Sequence, residues 1–300
     1  MNKVDQNPAL AFLVALAAIG ALSAMDAVMK GLSRDIGAFA TMCWRSVLAT
    51  GVMAVPYIAT RKSGPTLRAL RLHLLRGLLM VPMSFLFFWG LARVPMAQAI
   101  ALTFIAPLLA LFLAAIFLGE KVGPRTVGGS LLAFFGVTVI VYGQGKADLG
   151  PEALKGSIAI LGSAVCYAFN IVVMRSQAQQ ARPIEIAFFQ FLFTGIGFWA
   201  LGLAVGLPTY PSGQLWVLLV ATMLAIAGML LLAWAYARAG AAYLSSSEYS
   251  GFIYAAVLGW LVFGEPVSPY TVAGAALIIG GCAIASRTVA KGEPSVEIAV

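Results

Sequence analysis

The sequence predicts an all-helical membrane protein in which ten transmembrane helices form two inverted five-helix repeats around a central cavity. Three observations predict this fold: the composition, the spacing of ten apolar stretches, and a motif that occurs twice. Apolar residues make up 61% of the 300 residues and charged residues only 10%, whereas a soluble domain carries about 25% charged residues. Because no single water-soluble core could bury so much apolar surface, the chain is expected to cross a lipid bilayer.

Ten stretches have the length and composition of membrane spans, since a helix needs about 20 mostly apolar residues to cross a bilayer. They lie at residues 9–29, 37–58, 73–92, 96–118, 125–143, 155–174, 184–206, 214–236, 241–263 and 269–287. None alternates with the period of two that a barrel strand requires, so all ten are predicted to be helices. The first span could pass for a cleaved secretory signal. It is expected to be retained because Met29-Lys30 at its end recurs as Met174-Arg175 at the end of span six.

The doubled motif divides the chain into two repeats. IFLGEKVGPRTVGG at 116–129 returns as LVFGEPVSPYTVAG at 261–274, which is 145 positions later. The repeats therefore cover residues 1–150 and 151–300, with five spans each. An odd number of spans forces the second repeat to enter the membrane in the opposite direction. Inverted repeats are typical of secondary transporters, which place their substrate near the middle of the membrane between the repeats.

Within each copy of the motif, a glycine ends one helix, a carboxylate follows, and a proline begins the next helix. These residues are Gly119, Glu120 and Pro124 in the first copy and Gly264, Glu265 and Pro269 in the second. A glycine tolerates the backbone conformations of helix ends, and a proline in the first turn loses no hydrogen bond. The two carboxylates precede new helix starts, where unpaired N–H groups favour negative charge. They are interpreted as structural residues rather than proton carriers.

Helix interruptions at matching places support a transport site between the repeats. Pro107 in span four corresponds to the neighbourhood of Gly251 in span nine. A proline removes one backbone hydrogen bond and kinks its helix, while a glycine permits bending. Small residues spaced four apart, such as Gly129 with Ala133 and Gly281 with Ala285, predict that spans five and ten pack closely.

The ten spans, the doubled Gly-Glu-x-x-x-Pro motif and Lys30 late in span one resemble the drug/metabolite transporter superfamily, and in particular its EamA-type exporters. Within that group the chain is similar to the bacterial aromatic amino-acid exporter branch, and the similarity extends over essentially the whole chain. The resemblance implies a multi-pass protein of the bacterial inner membrane. It also implies a central cavity lined by spans one, three, four, six, eight and nine.

Lysine and arginine residues are distributed unequally between the two sets of connections. Thirteen lie on the side that contains both termini and five on the other side, and the larger set includes Arg61, Lys62, Arg68, Arg71 and Arg76. Cytoplasmic loops are enriched in these residues, so both termini are expected to be cytoplasmic.

Charged residues inside membrane spans are costly and usually functional. Asp26 and Lys30 lie four residues apart, so they could form a structural pair on one helix face. Alternatively, Lys30 could contact a substrate carboxylate or form part of a gate. Arg45 in span two could bind an anion, neutralise a carboxylate or reach the lipid headgroups.

Glu248 is the sharpest candidate for substrate binding. It follows three serines, including Ser246, and precedes Tyr249 in the first half of span nine. It could hold a substrate ammonium, carry a coupling proton, or anchor the fold. Its counterpart in the first repeat is Thr103, so the fold does not require a carboxylate at this position in both repeats.

Four further side chains are candidates for the cavity wall. Tyr167 and Asn170 share one face of span six and could bind the head group of an amino acid, or could form a single interhelical hydrogen bond. Phe85 and Trp89 in span three lie four residues apart and could contact an apolar substrate side chain.

These patterns predict an exporter of neutral or amphipathic amino acids, with aromatic amino acids among them, that works by alternating access. The alternative is an exporter of other small metabolites or cationic drugs. An enzyme is not expected, because the only histidine, His73, lies far from the serines and no metal or nucleotide motif occurs. The expected partners are a small-molecule substrate and the lipid bilayer, with no nucleic acid. No cofactor is expected, and a monomer is the expected state.

Overall fold

The computed structural model describes residues 8–61, 64–118, 124–146, 150–178, 180–239, 244 and 247–289, and every regular element among them is a helix. We number the helices in chain order. They are α1 (Pro8–Leu32), α2 (Ala38–Thr60), α3 (Leu67–Leu91), α4 (Met96–Thr103), α5 (Ala106–Leu118), α6 (Pro124–Lys146), α7 (Gly150–Ala178), α8 (Pro183–Val205), α9 (Leu215–Tyr236), α10 (Ser250–Phe263) and α11 (Pro269–Val289).

The helices account for the ten predicted spans. Seven apolar helical stretches in the described part of the chain are long enough to cross a membrane, and two shorter apolar helices follow at Ser250–Phe263 and Pro269–Ile284. The first long stretch, Pro8–Thr60, contains both α1 and α2. A π-helical turn at Ser33–Gly37 separates these two helices. The all-helical fold class is therefore confirmed.

Span four is divided into two helices. α4 ends at Thr103 and α5 begins at Ala106, just before Pro107. Because proline has no N–H, residue 107 cannot donate the helical hydrogen bond to residue 103. At the corresponding region of the second repeat, α10 begins at Ser250, one residue before the buried Gly251. Its last residue is Phe263, and the following Gly264 caps the helix in the left-handed conformation, with a φ of 65° and a ψ of 24°.

Helix α3 begins earlier than the span that the sequence predicts. The hydroxyl of Thr66 accepts a hydrogen bond of 3.2 Å from the backbone N–H of Ala69, which caps the helix before Leu67. The predicted span started at residue 73. The earlier start places His73 and Arg76 in the second and third turns of the helix rather than at its beginning, and both side chains are buried.

The helices of the two halves pack against each other in a reciprocal pattern. The first helix of one half packs on the third helix of the other, so α1 contacts α9 and α7 contacts α3. The second helices contact each other as α2 and α8, and the last helices as α6 and α11. Each contact between a helix of the first half and a helix of the second half thus has a counterpart in which the two halves change roles. This is the pattern expected for two repeats of one architecture.

Close contact between α6 and α11 depends on glycine. A Cβ atom on Gly136 would lie 2.6 Å from the carbonyl oxygen of Gly274, and one on Gly281 would meet the backbone oxygen of Gly129. The predicted close packing of spans five and ten is confirmed.

Candidate functional site

Lys30 lies at the centre of a charged cluster at the end of the bundle where α1 terminates. Its side chain is completely buried, and its Nζ atom lies 2.6 Å from a carboxylate oxygen of Glu265. The same ammonium donates a hydrogen bond of 2.6 Å to the backbone oxygen of Val94. Lys30 thereby joins α1 to the α3–α4 connection and to the segment that follows α10.

Glu265 receives two further hydrogen bonds. Arg34 Nη2 donates to Oε1 over 3.0 Å, and the backbone N–H of Met96 donates to Oε2 over 2.9 Å. Met96 is the first residue of α4, so the carboxylate lies where the N–H groups of that helix are unpaired. The ring of Phe263 lies 5.2 Å from Lys30 Nζ and 5.0 Å from the Arg34 guanidinium carbon. We call Lys30, Arg34 and Glu265 the end cluster.

The end cluster corrects two expectations. The pair between Asp26 and Lys30 does not form, because Lys30 extends beyond the end of its own helix to Glu265. Glu265 does neutralise a helix N-terminus, but the helix is α4 rather than the following α11. Three segments distant in sequence therefore meet at Glu265: the end of α1, the start of α4 and the residues after α10.

A buried chain of polar side chains lies in the opposite half of the bundle. Arg76 donates to Asn170 over 2.9 Å and to Gln177 over 2.7 Å. Gln177 lies 2.5 Å from a ring nitrogen of His73, whose other nitrogen lies 3.1 Å from Glu185. The chain connects α3, α7 and α8, and it satisfies polar groups that would otherwise be unpaired inside the membrane.

Arg76 is unusual because its hydrogen-bond partners are neutral amides. Only 6% of its surface is accessible, and no carboxylate among the described residues lies within 4.0 Å of it. Arg76 was predicted to be a cation of the cytoplasmic connections, and that prediction is wrong because Arg76 is buried within α3. The position of His73 and Arg76 three residues apart, after a threonine helix cap, is the signal that could have placed both on one buried helix face.

Tyr167, Tyr236 and Glu248 lie near Arg76, and we call these four residues the interior cluster. Tyr236 donates a hydrogen bond of 2.7 Å to Glu248. Tyr167 interacts electrostatically with both Glu248 and Arg76. The side chain of Tyr167 is 39% accessible, so it is not enclosed by its neighbours. Glu248 is also accessible and has no cation within 4.0 Å among the described residues.

The other predicted residues are placed as follows. Asn170 accepts from Arg76, so its amide oxygen is occupied. The Thr103 hydroxyl donates to the backbone oxygen of Ile100 in its own helix. The ring centroid of Trp89 lies 3.6 Å from the guanidinium carbon of Arg93, so Trp89 is near the end cluster rather than the interior cluster.

Two aromatic candidates lie elsewhere. Tyr249 packs edge-on against Phe104, with ring centroids 5.6 Å apart, and Phe85 is partly buried against the main core. Ser246, Gly119 and Glu120 lie outside the residues that the structure describes.

The family of the chain is shown by its sequence. A model of the EamA-like transporter family matches residues 9–142 and again residues 154–287. The chain belongs to this family. The two matches correspond to the two sets of helices that pack reciprocally.

Curated relatives of this EamA-like transporter carry different substrates according to their names. The pseudopaline exporter CntI of Pseudomonas aeruginosa is 28% identical over 92% of this chain and 95% of its own length. A riboflavin transporter of Rhizobium johnstonii is 32% identical over 63% of this chain and 61% of its own. The aromatic amino acid exporter YddG of Ancylobacter novellus is 27% identical over 67% of this chain and 71% of its own. All three are transporters, as the sequence predicts for this chain.

One solved structure supports the fold. It covers 94% of this chain and 99% of its own chain, with a TM-score of 0.59 and 24% identity, and its title is "Crystal structure of protein".

Proposed function

We propose that this EamA-like transporter exports neutral, amphipathic amino acids by alternating access. The observation that supports this proposal is the interior cluster, in which Glu248 has no cation partner and Arg76 has no carboxylate partner among the described residues. An amino acid carries one positive and one negative charge on its head group. Its ammonium can bind Glu248 and its carboxylate can approach Arg76, while Tyr167 and Tyr236 contact its apolar side chain.

The end cluster supports alternating access. We infer that it closes one end of the bundle, and alternating access requires this end to open while the other closes. Because the cluster joins segments from both repeats through side-chain contacts, a rigid-body movement of one repeat against the other can separate them. The predicted orientation places the end cluster on the periplasmic face, where export would release the substrate.

The orientation is tested by labelling single cysteines in cells. We expect Ser268→Cys, beside the end cluster, to react with a membrane-impermeant thiol reagent added outside. Gly64→Cys, in the connection between α2 and α3, should react only after the membrane is opened. Reaction of both positions from the same side would contradict opposite faces for the two connections.

A second candidate function is the export of other small metabolites. It is favoured by the pseudopaline exporter, which aligns with 92% of this chain. Uptake of a labelled panel of amino acids into proteoliposomes, with and without a pH gradient, separates the two candidates. Saturable uptake of neutral amino acids supports the first proposal, and no uptake of any amino acid would contradict it.

Glu248→Gln is expected to weaken amino-acid transport while leaving the protein folded in the membrane. Loss of a charged hydrogen bond to the ligand costs about 1.5–3 kcal/mol, which corresponds to a KM increase of roughly tenfold to a hundredfold. The matched control is Glu152→Gln, whose side chain is 57% exposed and pairs with Lys155 and Arg93 at the bundle end. An unchanged KM for Glu248→Gln would remove this residue from the site.

A further inference from the structure

Asp26 on α1 and Arg45 on α2 form a second pair of opposite charges inside the bundle. Their charges attract each other, and both residues are densely surrounded by protein. Each nevertheless retains part of its surface accessible. Neither side chain is therefore fully enclosed by the surrounding helices.

The two residues are not a structural salt bridge. No nitrogen of Arg45 lies within 4.0 Å of an Asp26 oxygen, although shorter contacts define five other pairs among the described residues. The buried Nε of Arg45 has no hydrogen-bond partner in the part of the chain that the structure describes. A buried ion pair offsets its desolvation only through close contact and additional hydrogen bonds. This pair has neither, so both charges remain available to a ligand.

The pair lies one helical turn below the end cluster. Asp26 precedes Lys30 by four residues, and it lies six residues before the end of α1, or about 9 Å along the helix. Arg45 lies seven residues after the start of α2, at about 10 Å from the same end. Glu248 lies two residues before the start of α10, whose 14 residues span about 21 Å. Asp26 and Arg45 are thus much nearer the closed end than the interior cluster.

The surroundings favour an amphipathic ligand. The guanidinium carbon of Arg45 lies 6.0 Å from the centroid of the Phe88 ring on α3. In the second repeat, the positions 145 residues later are Ile171 and Gln190, which carry no charge. The repeated architecture therefore does not require either charge.

We propose that Asp26 and Arg45 form a second binding position for the head group of the exported amino acid, just below the end cluster. The proposal rests on the proposed function. The Asp26 carboxylate binds the ammonium and the Arg45 guanidinium binds the carboxylate, while the ligand side chain packs toward Phe88. A substrate that leaves the interior cluster reaches this position before the end cluster opens.

The test matches each side chain with one charge of the ligand. Phenylalanine uptake into proteoliposomes is measured against two competitors: phenethylamine, which lacks the carboxylate, and 3-phenylpropionate, which lacks the ammonium. In Asp26→Asn, we expect the preference for phenylalanine over 3-phenylpropionate to fall by about tenfold to a hundredfold. In Arg45→Gln, we expect the preference over phenethylamine to fall by a similar factor. Each variant should retain the other preference.

The control is Asp35→Asn, which removes an exposed carboxylate from the π-helical turn and should change neither preference. If a single variant does not fold, the double variant Asp26→Asn/Arg45→Gln removes both charges without leaving one unpaired, and both preferences should fall.

Unchanged preferences, or an equal loss of both preferences in each single variant, would overturn this inference without affecting the proposed function. If another panel amino acid is transported instead of phenylalanine, it and its own two analogues serve as the probes. No uptake of any amino acid by the wild-type protein would overturn the proposed function together with this inference.

Discussion

Replacing Glu265 with glutamine is expected to lower the free energy of unfolding by about 3–5 kcal/mol, since removal of one partner leaves a buried charge uncompensated. Lys30 is completely buried and contacts Glu265 at 2.6 Å. The amide of glutamine cannot neutralise Lys30 and Arg34. It also weakens the charge-assisted hydrogen bond from Met96 at the start of α4. The measurement is unfolding of the purified protein in mixed micelles.

The control for this prediction is Glu152→Gln, because Glu152 pairs with Lys155 and Arg93 in exposed positions. Exposed pairs contribute little to stability, because solvent screens the attraction between their charges. A similar small loss for both variants would show that the end cluster contributes little to stability. It would also contradict its role in closing this end of the bundle.

Arg76→Met is expected to have the second large effect. Methionine fills part of the same volume but leaves the amide oxygens of Asn170 and Gln177 without their donor. Each buried oxygen left unpaired costs about 1–3 kcal/mol, so we expect a loss of about 2–6 kcal/mol in the free energy of unfolding. Transport should also fall, because Arg76 belongs to the interior cluster.

Arg71→Met provides the matched control, since Arg71 is an exposed arginine on the same helix. This variant should unfold like the wild-type protein. Equal stability of Arg76→Met and the wild-type protein would mean that Asn170 and Gln177 find other donors. The polar chain would then not hold α3 against α7.

The fold could be predicted in detail because its signals are local and repeated. Apolar length defined the helices, and the 145-residue repeat divided them into two sets. The division of span four next to Pro107 and the close packing at Gly281 follow from single residues whose backbone requirements are known. The start of α3 was missed because the span was assigned from apolar length, whereas the helix begins at its Thr66 cap.

The site was less predictable because its contacts join residues far apart in sequence. Lys30 was recognised as a candidate, yet its partner Glu265 lies 235 positions later. Local spacing suggested Asp26 as the partner, and the tertiary fold separates them. Arg76 was counted as a loop cation, because composition alone does not distinguish a loop residue from a buried one near a helix start. Asp26 and Arg45 drew attention through the cost of charge in a membrane, but only the structure shows that their charges interact without forming a salt bridge.

We propose above that the protein is a carrier for amino acids that exposes its site alternately to the two sides of the membrane. The most direct measurement is counterflow in proteoliposomes preloaded with unlabelled phenylalanine and diluted into a trace of the labelled amino acid. A carrier predicts transient accumulation of label above its equilibrium level, and this overshoot should disappear in protein-free liposomes. A flux that rises linearly with concentration and shows no overshoot, for phenylalanine and for every other neutral amino acid tested, would contradict the claim.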